Sequence, residues 1–279
     1  MKMLKNHSLL FDRDCPLCHL YTGGMIKYKM LDEHGRIAFQ DIDESKFPTV
    51  DFYLARNKIA LVNRENGEVV YGVDSLTKVL NHNFPFIGFC MRIKPIYMFW
   101  EQVYNFISFN RKIVIPISCN NSGSCNPSRS MFWRTFFIIF CALVVNLIVG
   151  NYFKQHVSNY YTGNLAWGDL LIFMGQLIFQ YIICKLVKEP NIYDYLGHVS
   201  FVSLLGAFIL QGFHWGLNLL SLLPVQIEFL QIFCYGIVFA WMFMEHRRRL
   251  QIANMNGWLS FTWVLYRIIV YPFVFKALA

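Results

Sequence analysis

The sequence predicts a chain of two classes: an α/β domain over residues 1–115 and an all-α bundle of about five transmembrane helices over residues 131–279. A juxtamembrane linker, 116–130, joins them. Three observations lead there. Charged residues make up only 15% of the 279, against about 25% in soluble domains, and the deficit falls in the second half. That half is built of apolar runs near the roughly 20 residues needed to cross a bilayer. The first half instead alternates short β-rich runs with helical stretches, beginning at "LLFDRDCPLCHLY", residues 9–21.

Residues 8–12, "SLLFD", read as a short buried strand. Pro16 suits the first turn of a helix, where its missing N–H costs no hydrogen bond. That helix is expected to run through "LCHLYTGGMIKYKML" to a stop near Gly35, with Gly23 and Gly24 as weak points. "RIAFQDID", 36–43, alternates as a second strand, and 44–57 look helical or irregular. In "KIALVNRENGEVVYG", 58–72, two β-rich runs flank Asn66-Gly67, which marks a hairpin turn. Asp74 or Ser75 can cap the following helix, "SLTKVLNH". The order is β-α-β-(α)-β-β-α with a C-x-x-C pair at the first strand-to-helix junction. That is the thioredoxin-like arrangement.

The location suits redox chemistry. Disulfide exchange needs a thiolate, and a free cysteine near pKa 8.5 is mostly protonated at neutral pH. A helix N-terminus carries about half a positive charge. Cys15 is therefore expected to be the exposed, attacking thiolate, and Cys18, one turn along, the more buried resolving thiol. Asp12 and Asp14 would oppose that thiolate if close in space. The bland alternative is a pair of small buried apolar side chains.

Other readings compete for the same residues. "CPLCH" fits the haem c attachment pattern, but a compact strand–helix turn leaves no haem pocket. An apolar strand followed by Asp-x-Asp also resembles the start of haloacid-dehalogenase phosphatases, with Asp12 as nucleophile and Asp14 as acid. The later acids needed for magnesium are missing, since "FQDIDES" comes too soon. A zinc site would need a second close pair, and Cys119 and Cys125 in "SCNNSGSC" have poor spacing. No metal site is expected. Cys119 and Cys125 are a candidate accessory dithiol in the linker, with a reduced polar linker as the simpler alternative.

The opening "LLFDRDCPLC" resembles that of the DCC family of predicted thiol-disulfide oxidoreductases. "NRENGEVVYGVDSL" is similar to that family's hairpin and short helix, "VYNFISFNR", 103–111, to its Tyr-containing helix ending in Asn-Arg, and "CNPSR", 125–129, to its late Cys and Pro. The resemblance covers about residues 7–129. It implies a thioredoxin-like fold and a Cys15/Cys18 redox pair with Asp14 beside it. One departure from thioredoxins is plain. Where they place a cis-proline before the third strand, this chain reads "ARNKIALV", and Pro48 comes about ten residues too early.

The membrane half parses into five expected spans: 131–151, 168–187, 196–220, 224–244 and 258–278. The third and fourth form a tight hairpin around Pro224. Basic residues alternate between successive loops: Arg111, Lys112, Arg129 and Arg134 precede the first span, Lys185 and Lys188 follow the second, and Arg247, Arg248 and Arg249 follow the fourth. This places the N-terminal domain on the cytoplasmic side and the C-terminus outside. The start of the chain shows no apolar run of signal-peptide length. Much of the +8 net charge is accounted for by membrane flanks, so a nucleic-acid partner is not expected. Arg267, Glu228 and His214 are candidate members of a polar site inside the membrane, with Arg267 and Glu228 expected at or near contact between the fourth and fifth spans. Gln176, Gln180 and Gln211 are further polar groups in the spans. Cys141, Cys184 and Cys234 are isolated, which argues against a thiol oxidase. A quinone is possible but nothing in the sequence supports one, and no cofactor beyond the cysteine pair is expected.

The expected function is a multi-pass membrane protein acting as a thiol-disulfide oxidoreductase, a reductase toward a disulfide- or thiol-containing protein or small molecule. The cytosol's reducing poise disfavours net disulfide formation there. The rival class is a transport or lipid-handling bundle whose thioredoxin-like domain is a binding or regulatory module.

Overall fold

The computed structural model describes residues 3–116, 130–156, 168–219 and 224–276. It divides into two compact units, Met1–Trp133 and Arg134–Ala279. Cys119 and Cys125 fall outside the described residues, and so does the side chain of Glu228.

The first unit is a four-stranded mixed sheet with helices. Strands β1 (His7–Phe11), β2 (Arg36–Ala38), β3 (Ala60–Asn63) and β4 (Val69–Tyr71) lie in the order β2-β1-β3-β4. β1 pairs parallel with β2 and antiparallel with β3, and β3 pairs antiparallel with β4. β1 is central and buried at all five positions, as expected for a strand covered on both faces. Leu9 joins Met25, Leu31, Ile59, Leu61 and Val79 in one core cluster, and Leu10 joins Val50, Ala55, Ala60 and Val62 in another. The hairpin turns where expected, with Gly67 at φ +70, a value that suits glycine.

Helix α1 (Pro16–Lys27) follows β1. It stops well before Gly35, because Lys29 takes a left-handed φ of 55 and turns the chain so that Leu31 is buried beneath the sheet. The second strand is also shorter than expected. After Ala38 the chain winds into a 3-10 turn, Phe39–Asp41, which aims Gln40 at the loop after β1. A short helix, α2 (Phe52–Asn57), is capped by Asp51, which accepts from the amides of Tyr53 and Leu54. Helix α3 (Val73–Asn83) starts from Gly72 at φ +62 rather than from a side-chain cap, and Ser75 instead donates from inside the helix to the Gly72 carbonyl. Helices α4 (Pro85–Met91) and α5 (Lys94–Val114) complete the unit.

The second unit consists of helices: α6 (Met131–His156), α7 (Gly168–Leu186), α8 (Ile192–Asn218), α9 (Pro224–Ile252) and α10 (Trp258–Lys276). Among the described residues three stretches are long and apolar enough to cross a membrane: Met131–Tyr152, Gly168–Leu186 and Ile192–Leu217. α10 contributes a shorter apolar stretch, Trp258–Val270. The run "EHRRRLQ" is not a loop. α9 continues through it to Ile252, because Glu245 accepts hydrogen bonds from Arg248 at 2.6 Å and Arg249 at 2.8 Å, spacings of three and four residues that lie on one helix face. Arg249 is buried with its guanidinium over the Phe201 ring, 4.8 Å away.

Several polar groups inside this unit are shared between helices. Gln180 accepts from the hydroxyls of Tyr195 at 2.9 Å and Thr262 at 3.2 Å. Arg134 donates to Asp194 at 3.0 Å. His246 pairs with Ser260 at 3.0 Å and stacks on Trp263. The expected grouping of Arg267 with His214 does not form. Arg267 lies over the Trp263 ring at 5.7 Å and shares the wall of a cavity of about 70 Å³ with Asp169, Ser203 and Tyr235. His214 is absent from that wall and sits edge-on to Tyr152, with ring centroids 6.3 Å apart. An acid on α7, Asp169, which the sequence reading did not single out, stands in the same wall.

Candidate active site

β1 ends at Phe11, and three polar residues carry the chain to Cys15, which caps α1 with Pro16 at the first helical position. The Cys15 amide donates to the Asp12 carbonyl at 3.1 Å, and the Cys15 carbonyl accepts from the His19 amide at 3.0 Å. The loop is braced from the turn after β2. Gln40 donates to Asp12 at 2.8 Å and accepts from the Arg13 amide at 3.1 Å, while Arg13 pairs with Asp41 at 2.8 Å. His19 reaches back to the Arg13 carbonyl at 2.7 Å from the exposed face of the helix. No cis peptide bond occurs among the described residues.

Neither cysteine is in a disulfide, and both are buried, Cys15 at 1% exposure and Cys18 at 6%. The expectation of an exposed Cys15 therefore does not hold. Both side chains are tucked among Phe11, Leu17, Tyr21 and Ala38. The two thiols differ in proton affinity. The Cys15 thiol is lowered to about 6, chiefly because the Cys18 side chain acts as a hydrogen-bond donor to it. Burial opposes the shift, and the positive charge of Arg111 assists it. Cys18 is raised by that same hydrogen bond and by burial. The hydrogen bond between them favours a thiolate on Cys15 and a protonated Cys18. The Tyr21 hydroxyl donates to the Cys18 sulfur at 3.7 Å.

The opposing effect of Asp12 on the Cys15 thiolate is present but small, because Arg111 answers it. Arg111 donates to Asp12 at 3.2 Å and, at 3.4 Å, to the Arg56 carbonyl. Asp14 is exposed; its amide donates to Asp12 at 3.1 Å. The structure thus brings Cys15, Cys18 and Pro16 together with Asp12, and leaves Asp14 on the surface of the same loop. The Asp12 carboxylate, engaged by Arg111 and Gln40, is not poised as the nucleophile that the phosphatase reading requires.

Three side chains of α5, four and three residues apart, face this corner: Tyr104, Ser108 and Arg111. Tyr104 accepts from the Ile59 amide at 2.9 Å, and Ser108 donates to the Asn57 carbonyl at 2.7 Å. They tie α5 to β3 and to the end of α2, and so deliver Arg111 to the dithiol. Sequence reasoning did not single out Arg111 or Tyr104 as site residues, although both lie in "VYNFISFNR", where their seven-residue spacing places them on one helix face. Between α5 and the sheet lies a cavity of about 330 Å³ whose wall includes Cys18, Tyr21, Asp12 and Arg111 among mostly apolar neighbours.

A buried pair of thiols with unequal proton affinities, beside a fixed cation, can hold a thiolate ready for attack and a thiol ready to resolve. Residues 9–114 match the family model described as DCC1-like thiol-disulfide oxidoreductase. No curated protein and no solved structure matches the chain. The N-terminal part of this protein is thus similar to DCC1-like thiol-disulfide oxidoreductase domains, and it is followed by helices long and apolar enough to cross a membrane.

Proposed function

We propose that the protein is a membrane-anchored reductase of disulfides, working through Cys15 and Cys18 on the cytoplasmic face. The observation that carries this reading is the free Cys15/Cys18 pair at the N-terminus of α1, within the residues that match the family model, and the lowering of Cys15 to about 6 with Cys18 raised supports it. In the reaction the Cys15 thiolate attacks one sulfur of the substrate, and the other substrate sulfur leaves as a thiolate. Cys18 then attacks the Cys15 sulfur of the mixed disulfide. Its proton passes to the departing thiolate, and the second substrate thiolate is released. Two electrons reach the substrate, and Cys15 and Cys18 become a disulfide. Pro16 starts the helix and Asp14 borders the loop at the surface. Five spans, with the C-terminus outside, fit the basic ends of α7 and α9 and the basic stretch preceding α6.

The test is made on the full chain in detergent. Equilibration with glutathione buffers should give one two-electron transition for Cys15/Cys18, and turnover of insulin disulfides should vanish in Cys15→Ser and Cys18→Ser. Turnover that persists in both variants, or a pair that never forms a disulfide, would assign the activity elsewhere.

A further inference from the structure

Each reductive cycle leaves Cys15 and Cys18 oxidised, so a second reaction must restore the thiols. Three features of the 330 Å³ cavity bear on that reaction. First, Cys18 is in its wall and Cys15 is not. Second, its size is at the low end for small-ligand sites, about 300–1,000 Å³, and most of its wall is apolar, with Leu10, Phe11, Leu17, Ile59, Leu76 and Ile107. Third, Arg111 is buried at 9% exposure, and its Nε is buried without a hydrogen-bond partner among the described residues. A buried donor left unsatisfied is costly, and Arg111 is part of the cavity wall. Because Asp12 already offsets the guanidinium charge at 3.2 Å, an uncharged acceptor such as an amide or carbonyl oxygen fits better than a carboxylate.

We propose that this cavity takes up a small, neutral, mostly apolar dithiol carrying a carbonyl or amide oxygen, and that this dithiol restores the reduced enzyme by attacking Cys18. The inference rests on the reading of Cys15/Cys18 as a cycling redox pair. The ligand enters with one sulfur as thiolate. That thiolate bonds to the Cys18 sulfur, the Cys15–Cys18 bond breaks, and Cys15 leaves as a thiolate. The ligand's second thiol then attacks its own sulfur in the mixed disulfide. Cys18 is released and keeps the proton, and the ligand departs as a cyclic disulfide, having given two electrons. The direction of attack also agrees with leaving-group chemistry. The sulfur with the lower proton affinity leaves faster, and the Cys18 amide and the Arg111 charge both favour the thiolate on Cys15.

The experiment uses the oxidised full chain in detergent. Dihydrolipoamide and dihydrolipoate offer the same dithiol with a neutral or an anionic end. The amide should reduce the enzyme about tenfold faster, the factor expected from one hydrogen bond to a charged donor. Ile107→Trp, at a wall position 43% exposed, should abolish that preference by filling the cavity. Benzyl mercaptan, a neutral monothiol, should be found by acid quenching and peptide mapping on Cys18, with Cys15 free. An adduct on Cys15, or equal rates for amide and acid that Ile107→Trp leaves unchanged, would overturn the proposal. So would reduction by a hydroquinone where dihydrolipoamide fails. If oxidation never produces a Cys15–Cys18 disulfide, the redox reading itself has failed, and that is visible before any reductant is added.

Discussion

Arg111 and Asp12 are 99 residues apart in the chain and form an ion pair at 3.2 Å beside the dithiol, each side chain about nine-tenths removed from solvent. Their effects on Cys15 have opposite signs, since Arg111 favours the thiolate and Asp12 disfavours it. Removing each in turn should therefore move the thiolate in opposite directions. Arg111→Leu should raise the pH at which Cys15 becomes reactive, and Asp12→Asn should lower it. Iodoacetamide kinetics against pH on both variants read the two shifts. Shifts of the same sign would mean that the pair acts on Cys15 only through folding.

The same pair also bears on stability. Arg111→Leu leaves Asp12 short of its buried cation, and breaking such pairs costs about 3–5 kcal/mol when burial is complete. With both partners still 10% exposed, a smaller loss is expected. Adding Asp12→Asn to Arg111→Leu should recover part of the melting temperature but not the low reactivity midpoint.

In the unmodified reduced protein, Cys15 should titrate near pH 6, well below a free cysteine. Its folded value is depressed, so the thiolate persists above about pH 6 and is lost as the pH falls through it. Alkylation should be slow in absolute terms because the side chain is 1% exposed, yet its pH midpoint should still lie near 6. Cys18 should resist alkylation across the neutral range. Faster modification of Cys18 than of Cys15 would reverse the assignment.

Tyr104→Phe keeps the ring and removes the oxygen that accepts from the Ile59 amide at 2.9 Å. A buried donor left without an acceptor costs about 1–3 kcal/mol. The variant should melt earlier, and its Cys15 should be less reactive near pH 6 because α5 holds Arg111 less firmly.

Reporters fused within residues 152–166 and after Ala279 should both read as external if five helices cross the membrane with the N-terminal domain inside. A cytoplasmic signal at Ala279 would reduce the crossings to an even number, with α10 the first suspect because Arg267 interrupts its apolar run.

The fold of the first half was legible because its signals are local. "SLLFD", Pro16 and Asn66-Gly67 each specify a strand, a helix start or a turn from neighbouring residues. What the sequence did not disclose depends on distance. The early end of β2 follows from Gln40 reaching Asp12, and the low proton affinity of Cys15 owes part of its origin to Arg111, far along the chain. Burial of Cys15 was missed because a helix N-terminus suggests exposure until Phe11, Leu17 and Tyr21 are folded around it. In the membrane half, helix placement was readable from apolar length. The continuation of α9 through "EHRRRL" was not, since it depends on Glu245 neutralising two arginines.

A thiolate on Cys15 beside a protonated Cys18 sets the stoichiometry of the redox couple. Above pH 6 the reduced form carries one proton, so oxidation would release two electrons and one proton. Its midpoint potential should then fall by about 30 mV per pH unit, the interval that corresponds to a tenfold change in a two-electron equilibrium. Below about pH 6, where Cys15 is also protonated, two protons accompany the two electrons and the slope should double to about 59 mV. A cell compartment that acidifies by one unit from neutrality would thus change the potential of this pair by only about six-tenths as much as that of an ordinary dithiol.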